Sequence, residues 1–511
     1  MKSALTPYVI TGIALVSAAG IAVAPAAPPA PGVQVRAVQL TAGEITDAGP
    51  FDPAIGLVVG ASGRPIPGAD YVGAANDLYI DNPLHPIYPG TTYPGVLANG
   101  VFTPEGLYPM TGVKSLVLNY PLDSDGFPAQ STSVGQGITI LNHDINANVA
   151  AGHASTVFGY SQGSTLAGLA MEKLDPSGTP SDLPVQYLLI ADPSNPNGGL
   201  LERFNGYETT SGDSHVLPLN LPALGVSFDG ATPADDFTTS IYSTEYDGFA
   251  DFPRYPLNLL SDLNAFLGIA LIHPNYLNAA GGLPGPTAEQ IANATLLPGS
   301  EHSPTDPCAG CLTDYYLIDH PAPLVAMLPK PLQDLLGPDL TYLINLGYGD
   351  GSLGYSDAPA NVPTPFGLFP DVSMSTILDH LASGWDAGMK AFAGDLSDPS
   401  AVAWAAPSAA VATATAADPA SFTDIVNALS SAASSAYAAL LPTTDIVNSL
   451  VTSLPAYDLS LFTDNLGSGD LIDAFGLPAA ATTALFTLAA GFEYIVIRNA
   501  VTDISAAFAG L

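Results

Sequence analysis

The stretch VFGYSQGSTLAGLAMEKL, residues 157–174, runs a short strand-like segment directly into a helix-like one. Its first residues are β-formers, whereas its second half is rich in Ala and Leu at helical spacing. Gly159 and Gly163 stand on either side of Ser161 at the joint. A serine in this position is typical of a strained turn that exposes the hydroxyl as a nucleophile. The alternative is a plain glycine-rich turn whose serine faces solvent.

The sequence around this stretch alternates short apolar segments with helix-like ones. Residues 134–148 and 164–174 have apolar side chains near helical spacing. Five segments are predicted strands: residues 55–59, 115–119, 156–160, 185–191 and 239–245. Short, continuous apolar strands separated by helices predict an α/β fold, in which helices cover both faces of a parallel sheet.

Polar residues follow several of these strands at the point where each strand ends. Ser161, Asp192 and Asp247 each come directly after or close behind a predicted strand, and so does the loop at residues 60–63. Ligands of open parallel sheets bind at the carboxyl ends of the strands. We therefore expect these residues to share one edge of the sheet.

A nucleophilic serine needs a base and an acid beside it, because a hydroxyl is a weak nucleophile at neutral pH. In this kind of sheet the chain order is serine, acid, histidine. The acids at strand ends are Asp192 and Asp247, with Asp251 close behind. The backbone N–H of Gln162, at the start of the helix, is a predicted donor to the developing oxyanion. Five histidines follow the serine: His215, His273, His302, His320 and His380.

The composition excludes some classes of partner. The chain has 511 residues, with Lys+Arg 10 against Asp+Glu 47 and a net charge of −37. Such a surface repels phosphate backbones, so we expect no nucleic-acid binding, and no polybasic patch for anionic lipids is present in the sequence.

The two cysteines predict a structural disulfide. Cys308 and Cys311 are separated by two residues, and prolines lead into the pair, unlike in a redox motif at the start of a helix. A zinc site would need two more ligands, and no second CxxC exists in the sequence. We therefore expect a disulfide that fixes a loop, and we expect no metal or other cofactor.

The amino-terminal residues are typical of an export segment. Lys2 precedes an apolar run at residues 8–24, which ends in the small-residue sequence Ala-Val-Ala. Residues 1–27 are predicted to be a signal peptide or a retained membrane anchor, and residues 28–49 a tether. The protein is thus expected to be secreted or associated with the cell envelope.

The carboxy-terminal third changes character. Residues 351–420 are predicted to be a Pro/Ala-rich linker, and residues 421–511 a helical region. Asp424 and Asp445, each after a threonine, predict two helix starts. The apolar stretch at residues 479–497 is interrupted by Gly491 and Glu493, which favours a packed or interfacial helix over a membrane span. Association with a membrane through these helices or the amino-terminal segment is therefore an expectation.

Four stretches resemble one known domain family. They are residues 187–196 (YLLIADPSNP), 246–253 (YDGFADFP), 255–265 (YPLNLLSDLNA) and 339–349 (DLTYLINLGYG). Together they resemble the PE-PPE domain of mycobacterial exported serine hydrolases, over about residues 50–350. The PE or PPE module that usually precedes this domain is not found in the sequence, and the predicted export segment takes its place.

The resemblance implies a cutinase-like α/β-hydrolase fold and particular site residues. Cutinases share the GYSQG turn, and they take their acid from an Asp-x-Val loop and their base from a His-x-x-Tyr motif. Residues 247–249 (DGF) and 273–276 (HPNY) are similar to these motifs, although Phe249 replaces the valine. The resemblance thus favours Asp247 as acid and His273 as base, while Asp192, Asp251, His302 and His320 stay open. It also implies Ser62, through its N–H and hydroxyl, as a second oxyanion donor.

The function implied by the resemblance is hydrolysis of short- to medium-chain acyl esters or lipids through an acyl-serine. A second interpretation is an acyltransferase that moves acyl groups onto trehalose-type glycolipids, because an alcohol can replace water in resolving the acyl-enzyme. A third is a catalytically inactive envelope or adhesion protein whose working part is the Ala-rich tail.

Overall fold

A seven-stranded sheet runs through the described part of the chain. In chain order its strands are β1 (Ile55–Val58), β2 (Leu97–Gly100), β3 (Ser155–Tyr160), β4 (Val185–Ile190), β5 (Thr239–Thr244), β6 (Thr295–Leu296) and β7 (Thr313–Ile318). Their spatial order is β6-β7-β5-β4-β3-β1-β2, and all neighbours pair in parallel except β6 and β7. Every residue of β3 and β5 is buried, and neither strand contains a charged side chain.

The computed structural model describes residues 55–81, 97–111, 114, 116–177, 180–208, 215–216, 218–277, 284–396 and 421–509. The export segment and tether predicted for residues 1–49 lie outside them, as do residues 397–420 of the predicted linker. The described residues fall within one unit, Phe51–Leu511.

Helices flank the sheet, and polar side chains cap several of them. Thr132 accepts the N–H of Gly135 at one helix start, and Asn258 accepts N–H groups at another. The helices are α1 (Ala69–Ala75, continued by a π-helical turn at Asn76–Ile80), α2 (Ser133–Ala150), α3 (Gln162–Leu174), α4 (Leu200–Arg203), α5 (Leu259–Leu271, followed by a 3-10 turn at His273–Asn275), α6 (Ala288–Ala292), α7 (Pro323–Ala326), α8 (Lys330–Asn345), α9 (Met374–Asp395), α10 (Phe422–Ser468) and α11 (Leu471–Phe508). Two short antiparallel ribbons pair Tyr207–Glu208 with His215–Val216 and Asn220–Leu221 with Val226–Ser227. The predicted α/β fold is confirmed.

The strand predicted at residues 115–119 is wrong. The carbonyl groups of Val117 and Leu118 accept the N–H groups of Ser133 and Val134, at the start of α2. Leu118 is buried there, so the apolar pattern reflects packing around a helix start and not a strand. The outer strand next to β1 is β2, whose sequence LANG carries little apolar signal.

The prediction for the region after residue 350 is wrong in two places. The segment assigned to a linker contains α9, because no proline lies between Pro370 and Pro399 and Ser373 caps a new helix. The second helix start predicted at Asp445 does not exist, since α10 runs without a break from Phe422 to Ser468. The Asp445 carboxylate accepts the hydroxyl of Tyr108 at 2.5 Å and the ammonium of Lys114 at 2.6 Å, so it makes a tertiary contact and no cap.

Helices α10 and α11 form an antiparallel pair that shares the core of the sheet domain. Buried residues of α11 recur every three or four positions: Ala474, Leu477, Ala481, Leu485, Leu488, Phe492 and Val496. Among the described helices, α11 is the one long and apolar enough to cross a membrane, and 56% of its most apolar window is buried against the rest of the protein.

Candidate active site

Ser161 occupies a strained turn between β3 and α3. Its φ of 56° and ψ of −117° lie outside the regions that L-residues usually adopt. A Cβ on Gly159 would lie 2.7 Å from the carbonyl oxygen of Gly163, and one on Gly163 would lie 2.7 Å from that of Gly60. Both glycines are therefore required, because the turn folds tightly onto itself and onto the loop after β1.

His273 lies directly beside this serine. Its Nε2 is 2.7 Å from Ser161 Oγ, and its Nδ1 is 2.9 Å from each carboxylate oxygen of Asp247. Because Nδ1 faces a carboxylate, we assign the proton to Nδ1, which leaves Nε2 to accept the hydroxyl of the serine. Asp247 is fully buried and also accepts the N–H of Phe249 at 3.0 Å.

Two tyrosines fix the histidine turn to the ends of the strands. The N–H of Thr244, the last residue of β5, donates to the Tyr276 hydroxyl at 2.7 Å, which explains the tyrosine of the His-x-x-Tyr motif. The hydroxyl of Tyr160, the last residue of β3, donates to the carbonyl oxygen of His273. Burial raises the pKa of both tyrosines, and the Asp247 charge raises it further, so both hydroxyls stay protonated.

The aromatic ring of Phe249 covers the histidine from another side. The two ring centroids are 4.6 Å apart, which limits the orientations open to the imidazole. Phe249 stands where cutinases have a valine, so a larger side chain contacts the His273 ring here. The sequence indicated the departure from the motif but not its partner.

The other candidate acids lie elsewhere. The buried carboxylate of Asp192 accepts the hydroxyl of Thr232 at 2.7 Å and the N–H of Ser194 at 3.0 Å. Burial raises its pKa to about 6. Asp251 accepts the N–H of Tyr246 at 2.8 Å, and burial raises its pKa as well. Both carboxylates stabilise loops at the sheet edge.

The other candidate histidines are not at the serine. His302 is 70% exposed and pairs with Asp314, while His320 contacts the carbonyl oxygen of Pro321. The ring of His380 stacks on Tyr342 with centroids 4.4 Å apart. The side chain of His215 lies outside the described residues. Of the candidates, the structure brings together Ser161, His273 and Asp247.

The two predicted oxyanion residues contact each other. The Ser62 hydroxyl donates to the side-chain oxygen of Gln162 at 2.9 Å, and the Gln162 amide nitrogen donates to Ser133 Oγ at 2.8 Å. The Ser62 hydroxyl is thus engaged in holding the glutamine. Within the described part of the chain, no acceptor lies against the backbone N–H of either residue.

A cavity of about 980 Å³ opens beside the serine. Helix α11, for which the sequence gave no catalytic indication, supplies one apolar wall through Leu488, Phe492 and Ile495. Leu200, Leu201, Val226, Phe249 and Ile269 line it from the sheet domain. Its charged lining residues, apart from the imidazole, are Arg64, Asp70 and Arg498. The space and its apolar lining fit an extended hydrocarbon chain.

Two further structural findings concern the cysteine pair and possible metal ligands. Cys308 and Cys311 form a disulfide, and the side-chain amide of Asn361 lies 3.1 Å from the first sulfur. Among the residues that the structure describes, no three His, Cys, Asp or Glu side chains converge as metal ligands would.

Comparison with known proteins places the chain in a family. The PE-PPE domain model matches residues 94–349. A PPE family protein of Mycobacterium tuberculosis, PPE28, described as uncharacterized, is 38% identical over 489 residues, which cover 88% of this chain and 67% of that protein. Esterase PE16 of the same organism is 39% identical over 322 residues, 61% of this chain and 51% of its own length.

A third relative and the structural search complete the comparison. PE family protein PE3 of Mycobacterium tuberculosis is 35% identical over 351 residues, 66% of this chain and 63% of its own length. The chain thus spans between half and two thirds of the length of these relatives. No solved structure matches it significantly. On the matched domain and the similarity to PPE28, the chain belongs to the PE-PPE domain family.

Proposed function

We propose that this protein is a serine esterase that hydrolyses carboxylic acyl esters through an acyl-serine intermediate. The observation that carries the proposal is the hydrogen-bonded series from Ser161 to His273 to Asp247, built on a strained turn beside an apolar cavity. Membership of the PE-PPE family, and a relative that is named an esterase, support esterase- or lipase-like activity.

Acylation of the serine follows from the distances. Ser161 Oγ attacks the ester carbonyl while His273 Nε2, 2.7 Å away, takes its proton. The imidazolium that forms is stabilised by the buried Asp247 carboxylate. His273 then donates that proton to the leaving alcohol, and the acyl group remains on the serine.

Charge on the carbonyl oxygen develops where two backbone donors are free. The N–H of Gln162 stands at the start of α3, where the helix dipole also favours negative charge. The N–H of Ser62 comes from the loop after β1, and the bond between the Ser62 and Gln162 side chains holds the two donors together. Removing one such donor from an oxyanion hole costs on the order of 10²–10³ in kcat.

Deacylation reverses the same proton transfers. Water enters, His273 takes a proton from it, and the resulting hydroxide attacks the acyl-serine carbonyl. The carboxylic acid leaves, and Ser161 regains its proton from His273. The acyl chain lies against the apolar wall formed by Phe249 and α11 during both steps.

The first prediction tests the nucleophile. Ser161→Ala removes the attacking oxygen, so hydrolysis of nitrophenyl octanoate should fall by about 10⁴-fold or more, with no covalent labelling by a fluorophosphonate probe. Ser164→Ala is the matched control, because Ser164 lies in α3, three residues after Ser161. It is fully buried, and its hydroxyl donates to the carbonyl oxygen of Ile190. The control should keep both the label and the activity.

Two outcomes would contradict the proposal. Labelling that persists in Ser161→Ala, or a wild-type protein that neither labels nor hydrolyses any ester, would show that the series is not catalytic. Product analysis with a sugar acceptor present tests the acyl-transfer interpretation in the same assay, since an esterase releases free acid whether or not acceptor is added.

A further inference from the structure

Basic side chains are rare in this protein, yet two of them line the catalytic cavity. The chain has Lys+Arg 10 and Asp+Glu 47, so acids outnumber bases almost fivefold. Among the described residues that line the cavity the ratio is reversed: Arg64 and Arg498 face a single acid, Asp70. A cavity that followed the overall composition would be acidic.

Among the described residues, the two arginines make no ion pair of the kind that three lysines make. Lys114 pairs with Asp445, Lys173 with Asp123 and Lys330 with Asp334. Within the described ranges, no carboxylate lies within 4.0 Å of the guanidinium of Arg64 or Arg498. Their charges are therefore available to a ligand.

Arg64 lies close to the reacting groups. It belongs to the loop after β1 and follows Ser62 by two residues, and its N–H donates to the carbonyl oxygen of Ala61, which closes that loop into a turn. Burial and the Asp247 charge raise the pKa of Tyr160, whereas the Arg64 charge lowers it, so the guanidinium acts on the residue that precedes the serine.

Arg498 ends the apolar wall that α11 contributes. Ile495 lines the cavity three residues earlier, and residues three apart lie on the same face of a helix. The side-chain amide of Asn499 donates to the carbonyl oxygen of Met110 at 3.1 Å, which ties this end of α11 to the rim of the cavity. The lining thus changes from apolar to cationic along one helix.

We propose that the natural substrate is an amphiphilic ester that carries a negatively charged group, which Arg64 and Arg498 bind while the acyl chain lies along the apolar wall. The group is a phosphate, sulfate or carboxylate, oxyanions that offer two oxygens to the paired N–H groups of a planar guanidinium. Local cations are needed for such a ligand, because a protein of net charge −37 otherwise repels anions. This inference rests on the proposed esterase function.

The second prediction uses two esters that differ in one charge. One is a nitrophenyl octanoate with a carboxylate on the ring, and the other is its methyl ester, so the acyl chain and the chromophore are the same. Both are used as monomers, below the concentration at which they aggregate. The wild-type protein should prefer the charged ester in kcat/KM, and about 0.5 M NaCl should reduce that preference by screening.

Variants of the two arginines test whether these residues cause the preference for the charged ester. Arg64→Gln and Arg498→Gln should each lower the ratio of charged to neutral kcat/KM by about threefold, and the double variant by about tenfold, as expected for partly exposed charge pairs. Lys390→Gln is the control, because it removes one exposed positive charge on α9, outside the cavity lining. Its ratio should equal that of the wild type.

The outcomes separate this inference from the esterase proposal. Equal cleavage of both esters by the wild type, or ratios unchanged in the arginine variants, overturns the anionic substrate while the esterase stands. Arginine variants that keep the ratio but lose binding to vesicles containing phosphatidylglycerol would assign these charges to a lipid surface and also overturn it. Absence of hydrolysis and of fluorophosphonate labelling is instead a failure of the esterase proposal.

Discussion

The position of the serine was predictable from single residues, because its chemistry and its backbone geometry leave marks in the sequence. A Cβ at Gly159 or at Gly163 would lie 2.7 Å from a backbone oxygen, so only glycine fits at either position. These two glycines make the motif recognisable in the sequence. The histidine next to Ser161 was one of five candidates, and the chain order and the family resemblance favoured the one that the structure brings to the serine.

The role of Tyr160 was not predictable. Its hydroxyl donates to the backbone carbonyl of His273, 113 positions further along the chain. Because every residue type has a backbone carbonyl, such a contact does not restrict the residue type of the acceptor. The side-chain contact of Ser62, in the loop after β1, was not predictable either. Its hydroxyl holds the Gln162 side chain, so only the Ser62 N–H is left free.

The third prediction concerns Tyr160→Phe. The change leaves the His273 carbonyl without its donor in a buried site, which costs about 1–3 kcal/mol of unfolding free energy. It also loosens the turn that carries the imidazole, so we expect kcat for octanoyl esters to fall about tenfold while KM changes little. Steady-state kinetics and thermal unfolding measure the two effects.

Tyr187→Phe is the matched control for this change. Tyr187 is fully buried on β4, and its hydroxyl has no hydrogen-bond partner among the described residues. Removing an unsatisfied hydroxyl should leave activity unchanged and stability equal or slightly higher. If both tyrosine variants keep the kcat of the wild type, Tyr160 does not position the histidine.

At the level of elements, the sequence predicted β1, β3, β4 and β5 but missed the edge strands β2 and β6 and the inner strand β7. The four predicted strands are central and contain no charged residue, whereas the edge strand β2 has the short sequence LANG and β7 contains Asp314. The apolar residues 116–118 have the pattern of a strand because they pack at the start of α2, and burial in a loop gives the same sequence pattern as burial in a strand.

The fourth prediction tests α11 as a wall of the substrate cavity. Ile495→Trp places a larger side chain in the cavity lining, so KM for decanoyl esters should rise at least about fivefold, while acetyl esters should be cleaved nearly as before. Ile497→Trp is the control on the same helix, because Ile497 is 52% exposed and does not line the cavity. Equal chain-length profiles in the two variants would remove α11 from the substrate site.

The whole molecule differs from the prediction in how its carboxy-terminal region is used. Composition separated residues 421–511 from the predicted hydrolase domain, because Ala- and Ser-rich helices carry no catalytic motif. In the structure, α10 and α11 share a core with the sheet domain, and Asp445 links α10 to Tyr108 and Lys114. A tertiary interface of small apolar residues has no sequence motif, and only the periodic burial of α11 was visible in advance as helical spacing.

Acidic groups dominate the electrostatics of the folded protein, both on its surface and in its interior. Burial raises the pKa of Glu105 and Asp262 to about 8, and that of Glu202 and Glu245 to about 7. A folded protein whose acids have raised pKa values binds more protons than its unfolded chain. The contribution of these four groups to the free energy of unfolding is therefore largest below their ordinary pKa values of 3.8 and 4.5, and it falls as pH rises towards 8.

The fifth prediction is that this protein is more stable in mild acid than in mild base. The midpoint of thermal unfolding should be higher at about pH 5.5 than at about pH 8.5, by on the order of 5 °C or more. Repulsion among surface acids has the same sign, but about 0.5 M NaCl screens it and leaves the buried groups almost unaffected. The difference should therefore persist in salt.

Glu105→Gln identifies the buried contribution. The glutamate is fully buried, accepts the hydroxyl of Thr103 through one oxygen, and has its other oxygen unpaired among the described residues. A neutral glutamine resembles the protonated acid, so this variant should lose part of the pH dependence and unfold at a higher temperature than the wild type at about pH 8.5. Asp371→Asn, which removes an exposed carboxylate, should change neither. A wild-type midpoint that rises with pH, or that becomes independent of pH in salt, would mean that these interior carboxyl groups are ionised in the folded protein at little cost.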